Sequence, residues 1–178
     1  MKWSMVMAVM ITVARVADPA EPGQLPAIHL QMNNDAHVPA SILKKSQDEV
    51  SRIFSDAGLA VEWTEIGPRF TVHIVTSALG YARASSPVMG VALRTPGGAT
   101  AQIFFKQVQD FARTCHVDVS TLLAHVIAHE IGHLLLPRMP HSATGLMKAD
   151  WDRALAREGR ARSLTFTDAQ IERILALR

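Results

Sequence analysis

The segment from residue 118 to 136, DVSTLLAHVIAHEIGHLLL, constrains the fold of this chain more than any other. It is the strongest helix in the sequence: long and apolar, with Asp118 or Ser120 able to cap its start and Pro137 ending it. Inside it stand His129, Glu130 and His133, an H-E-x-x-H arrangement. Four residues make about one turn, so both imidazoles leave the same helical face and can chelate one zinc ion. Glu130 follows the first of them directly. From there a carboxylate reaches a water on the metal without being a ligand itself, which is where a general base belongs. Three fixed letters arise by chance in about 2% of chains of this length, from ~5% residue frequencies over ~175 start positions. The motif's specificity therefore comes from its place on this helix.

A catalytic zinc needs a third protein ligand and one open position. His141 is the only histidine after the helix, and Pro137 and Pro140 turn the chain before it, so it can fold back toward the metal. The competing candidates are the carboxylates Asp150, Asp152, Glu158 and Glu172. Glu158 has the spacing of a helix-borne glutamate ligand, the other known zincin solution, but stands in an Arg-rich stretch that offers it local pairing. Ligand type and distance favour His141.

Upstream, residues 27–32 (AIHLQM) alternate apolar and polar as a half-buried strand does. Residues 39–57 place Ile42, Leu43, Val50, Ile53, Phe54 and Ala57 on one helical face, with Pro39 suited to the first turn and Gly58 to the stop. Strands follow at 59–64 and 70–76, which makes a βαβ unit and a parallel strand pair. Residues 89–94 are a shorter candidate strand, 95–100 (TPGGAT) a turn, and 101–105 a fifth strand. A last helix spans 168–177 behind a Thr167–Gln170 capping box. The order is thus β, α, β, β, β, α, loop, α.

Residues 129–147 resemble the site of the metzincin zinc metallopeptidases, in particular the matrixin-like branch. HEIGH, then His141-Ser142, then Gly145-Leu146-Met147 stand in the family's order. There are two departures. The family's third His lies six residues after the second; Met139 holds that place here, and His141 comes two residues later. The Gly that normally ends the helix is replaced by Leu136 and Pro137. The single tyrosine, Tyr81, precedes the helix, so the tyrosine ligand of astacin-like and serralysin-like relatives has no counterpart. The resemblance implies an α+β zincin over residues 27–178: a twisted, mixed five-stranded sheet, a backing helix, an active-site helix and a C-terminal helix. It implies a zinc-dependent endopeptidase in which His129, His133 and His141 hold Zn2+, Glu130 activates the zinc-bound water, and Met147 forms an apolar floor. A peptide or protein substrate would add as a strand along Met89, Gly90, Val91, Ala92 and Leu93, with Trp151 walling the specificity pocket. Two rivals stay open: a peptidase of the Glu-ligand class completed by Glu158, and a non-catalytic, zinc-stabilised peptide-binding domain.

Composition agrees with such a domain and excludes other classes. With 48% apolar residues the chain is not a disordered one, and a net charge of +2 is no footprint for nucleic acid. One cysteine, Cys115, makes no internal disulfide and no Cys-rich zinc module. Residues 1–17 read as a signal peptide: Lys2, then a nearly unbroken apolar run over 3–14, with cleavage best placed after Ala14. That run is too short for a stable membrane anchor. Residues 18–26 (DPAEPGQLP) read as a linker, and the expected location is extracellular or periplasmic. Lys2 and Arg15 both lie in residues 1–17, which hold no acid, so the domain beyond carries no net charge. His125 lies one turn before His129 on the same helical face and reads as a packing or solvated residue, with a supporting role behind His129 as the alternative; His29, His37, His73 and His116 lack metal spacing, and Arg153, Arg157, Arg160 and Arg162 read as a solvated face, with a weak anion-binding patch as the alternative.

Overall fold

In the computed structural model, the residues described are 25–77, 88–136, 141–149 and 164–176. Strand β1, Ala27–Asn34, buries Ile28 and Leu30 and turns Ala27 and His29 outward. It feeds helix α1, Ala40–Asp56, through Pro39, which stands at the N-cap, one position ahead of the expected first turn. Helix α1 buries Val50, Ile53 and Phe54, and Gly58 beyond its end takes φ +76, a conformation that costs glycine nothing. The chain then returns as β2, Ala60–Trp63, parallel to β1. Strand β3, Phe70–Val75, pairs parallel with the other side of β1. The βαβ unit expected from periodicity is present.

Strands β4, Gly90–Thr95, and β5, Gly98–Phe104, form an antiparallel hairpin, and β5 lies parallel to β3. The sheet is mixed and five-stranded, in the order β2-β1-β3-β5-β4. The hairpin corrects one sequence expectation: residues 98–100 are not turn but strand, paired with Leu93, Arg94 and Thr95, and the turn shrinks to Pro96 and Gly97. A second correction concerns Phe105. It does not end the fifth strand but opens a helix that the periodicity reading left out, α2, Phe105–Cys115. Phe105, Val108, Ala112 and Cys115 recur at three- and four-residue intervals and are all buried. Asp110 pairs with Lys106 at 2.9 Å and Arg113 at 3.0 Å on the outer side.

Helix α3, Val119–Leu135, carries the H-E-x-x-H residues and packs against α1, α2, β4 and β5. Asp118 caps it by accepting from the Thr121 N–H at 3.0 Å. Burying each Leu or Ile stabilises by roughly 1.5–3 kcal/mol, so a helix with six Leu and Ile among its buried residues is held by its surroundings as well as by its own ladder. The Ser46 hydroxyl, fully buried on α1, donates to the Ser120 carbonyl at 2.9 Å and fixes the two helices at that end. Helix α4, Asp168–Leu175, starts with the Thr167–Gln170 capping box that the sequence announced. The chain is α+β, with four helices and one sheet among the described residues. Among the described residues, no helix is long and apolar enough to cross a membrane.

Candidate metal centre

One turn of α3 separates His129 from His133, and the His133 Nε2 lies 3.1 Å from the His129 Nε2. His141, on the loop beyond the helix, brings its Nε2 to 3.2 Å from that of His133. All three ligand atoms fall within 4.8 Å of one another. A neutral His133 has at most one Nε2 proton to offer two imidazole nitrogens, so hydrogen bonding cannot satisfy the cluster. A cation can. Metal–imidazole bonds of ~2.0–2.1 Å in a tetrahedral set separate the nitrogens by about 3.3 Å, close to the spacing seen. Three histidines could therefore hold a metal ion here.

The protein prepares these rings for that role. The His129 Nδ1 lies 2.8 Å from the Leu146 carbonyl, which can only accept, so Nδ1 carries the proton and Nε2 keeps its lone pair for a metal. Burial, with lesser effects from His133 and His141, pushes the His129 pKa down to about 4, against the smaller opposing pull of the Leu146 carbonyl. His133 is likewise lowered, by burial first and by His141 second. Both rings are neutral at pH 7, the form that ligates.

Glu130 is 7% exposed, and that burial raises its carboxyl pKa to about 8. A dication at the histidines opposes that shift. Across from it, β4 contributes Gly90, where an added Cβ would come 2.8 Å from the Glu130 Cγ and 3.0 Å from its Oε1. The close approach that Gly90 permits is thus filled by Glu130. At the other end of the strand the Arg94 guanidinium donates to the Leu134 carbonyl, capping an orphan acceptor of α3 and tying β4 to the end of the helix beside His133. Gly90, Val91, Ala92 and Leu93 lie along this strand, with Met89 just before it, and among the described residues β5 is its neighbour on one side and no strand pairs with the other.

Met147 is buried with its Sδ against Gly132, where a Cβ would meet it at 2.5 Å and the Phe166 ring at 3.0 Å. A glycine inside a helix costs about 1 kcal/mol relative to alanine, and here its packing reason is visible. The loop holding His141 and Met147 is a tight one: Gly145 takes φ +76, and the Ser142 N–H donates to the Met147 carbonyl at 2.8 Å. Ser142 and Leu146 stood in the sequence pattern only as neighbours of His141 and Met147, and nothing marked their bonding or Arg94, because they act through backbone groups or from another element. Gly132, an isolated glycine in an apolar helix, was the one available signal.

Glu172 is exposed on α4 and takes no part in the histidine cluster. Trp151, Asp150, Asp152 and Glu158 lie outside the described residues, as do residues 1–17 and most of 18–26. His125 is buried, with its Nδ1 2.7 Å from the Thr121 carbonyl. His29 and His73 pair with Glu62 at 3.2 Å and with Asp35 at 2.7 Å.

No protein-family model matches the chain, and no curated protein matches it.

Proposed function

We propose that this protein is an exported zinc-dependent endopeptidase of metzincin type, with His129, His133 and His141 as ligands and Glu130 as general base. The observation that carries this reading is the convergence of three imidazole Nε2 atoms, at 3.1 and 3.2 Å along the chain of three, beside a buried carboxylate on the same helix. Three neutral donors would leave a zinc ion its full charge, and zinc so held would supply a water of pKa about 7 and polarisation of a carbonyl. Glu130 accepts the proton of the attacking water as its oxygen bonds to the scissile carbonyl carbon. It then gives that proton to the amine as the carbon–nitrogen bond breaks, ending as the carboxylate it began as. Gly90 closes off one side of Glu130 and so limits where its carboxylate points. The outer edge of β4, unpaired among the described residues, suits an extended peptide, whose main chain would pair with the segment from Met89 to Leu93 while Leu93, 38% exposed, offers apolar contact. Trp151 is proposed as a pocket wall on resemblance alone.

Cleavage of a degenerate peptide library, with and without a chelator, tests the reading. Activity is expected to vanish with chelator and return with zinc, and Glu130→Gln is expected to lose ~10²–10⁴-fold in kcat while binding zinc normally. A wild-type protein that binds zinc yet turns over no peptide better than Glu130→Gln would instead be the non-catalytic peptide-binding domain.

A further inference from the structure

The third ligand stands on a loop, and the loop is held by a segment distant in sequence, 28 residues on from Ser142 to Gln170. Gln170, in the first turn of α4, is 1% exposed. Its Oε1 accepts from the Thr167 N–H at 2.9 Å, which is its half of the capping box. Its Nε2 is then left to donate, and it does so at 3.2 Å to the hydroxyl of Ser142, the residue after His141. That hydroxyl passes its own proton to the Thr144 carbonyl at 2.7 Å. The same segment makes a second tie: the Leu146 N–H donates to the Thr165 carbonyl at 2.8 Å, while the Leu146 carbonyl receives His129 Nδ1–H at 2.8 Å. The room for this is tight, since a Cβ on Gly145 would come 2.8 Å from the Thr165 carbonyl oxygen.

We infer that Gln170 is a positioning residue for the metal site, bracing His141 through Ser142, so that the cap of α4 and the geometry of the third ligand are set by one buried amide. This rests on the proposal that His141 is a ligand. A capping box needs only an acceptor at this position, and glutamate supplies one as well as glutamine. Glutamine alone supplies the acceptor for the cap and a donor for Ser142 without burying a charge. Partners one bond removed from a ligand typically carry 10–100-fold in metal affinity.

The test is zinc affinity of the full chain, measured by competition with a chromophoric chelator, alongside the melting temperature of the metal-free protein. Ser142→Ala and Gln170→Ala are each expected to weaken zinc binding 10–100-fold, and the double variant no more than the weaker single one, because both break the same link. Thr167→Ala, which loosens the cap but leaves the amide and hydroxyl in place, is expected to lower the melting temperature and to hold zinc affinity within about threefold. If Ser142→Ala and Gln170→Ala bind zinc within twofold of wild type while His141→Ala does not, the brace is wrong and the ligand stands. If Thr167→Ala weakens zinc as much as Gln170→Ala, the effect is general loosening of α4 and the inference fails. If His141→Ala itself binds as wild type, the ligand assignment fails and takes this inference with it.

Discussion

On α3, His129 and His133 share a face because they are four residues apart in a helix whose apolar sides are buried in the core. His141 reaches the same point from a loop, and what holds it lies far away in the chain: Met147 against Gly132, Leu146 between His129 and Thr165, Ser142 under Gln170. The first half of the site is fixed by local geometry and would survive in any setting that keeps the helix. The second half is fixed by tertiary contacts and depends on the whole domain being closed. A single site can thus be assembled from one part that is rigid by construction and one that is rigid only by assembly.

Removing a proposed ligand from each half tests that division most severely. His133→Ala and His141→Ala are both expected to weaken zinc by more than ~100-fold, beyond the range for outer partners. The metal-free melting temperatures should change little in either case, since neither ring is part of the core. If His141→Ala bound zinc within tenfold of wild type while His133→Ala did not, the loop half would not be a ligand, and Glu158 would become the candidate to complete the site.

The next effect concerns Glu130, the proposed base. Gly90→Ala places a methyl 2.8 Å from the Glu130 Cγ, so the carboxylate must move. Misplacing a catalytic group by about 1 Å can cost ~10²-fold, so kcat should fall by about that much with zinc affinity unchanged. A kcat within twofold of wild type would show that Glu130 has room that the packing does not suggest. Gly132→Ala is smaller. Alanine gains up to about 1 kcal/mol as a helix former, but overpacking against Met147 and Phe166 costs about 1–3 kcal/mol. The net expectation is a loss of about 1–2 kcal/mol, or a few degrees in melting temperature of the metal-free protein for a domain of this size.

The same division decides what the sequence made legible. Helix α3, the βαβ unit and the Thr167–Gln170 box are all patterns within a few residues, and each stands where it was expected. So does the approach of His141 to the helix pair, expected from ligand type and from the prolines before it. What escaped had no local mark. Helix α2 begins at Phe105 directly after β5 ends at Phe104, with no Gly, Pro, Asn or Asp between them to signal the change of period. The strand character of residues 98–100 comes from pairing with β4, which overrides the turn propensity of Gly97-Gly98. The bonds that orient His129 and His141 use the carbonyls of Leu146 and Thr165 and a capping side chain, groups whose partners only folding reveals.

The smallest expected effect is also the cleanest check that α3 is locally determined. Asp118 caps the helix, and its hydrogen bond from the Ser120 hydroxyl, followed by those from Thr121, holds its carboxyl below the usual value. The folded pKa is depressed, so the cap's contribution is fully present above the ordinary carboxylate range near ~3.9 and is lost as pH falls through the lower folded value. Asp118→Ala should cost about 1 kcal/mol at pH 7, some 2–4 °C in melting temperature, and the gap from wild type should close in acid. Asp118→Asn keeps a capping oxygen and should lose little at pH 7. Neither change should alter zinc affinity, because His129 lies eleven residues, about 16 Å, along the helix from the cap. A zinc affinity that fell with Asp118→Ala as it is expected to fall with Gln170→Ala would mean that the ligand helix, too, is held in place from a distance, and that the two halves of the site do not differ after all.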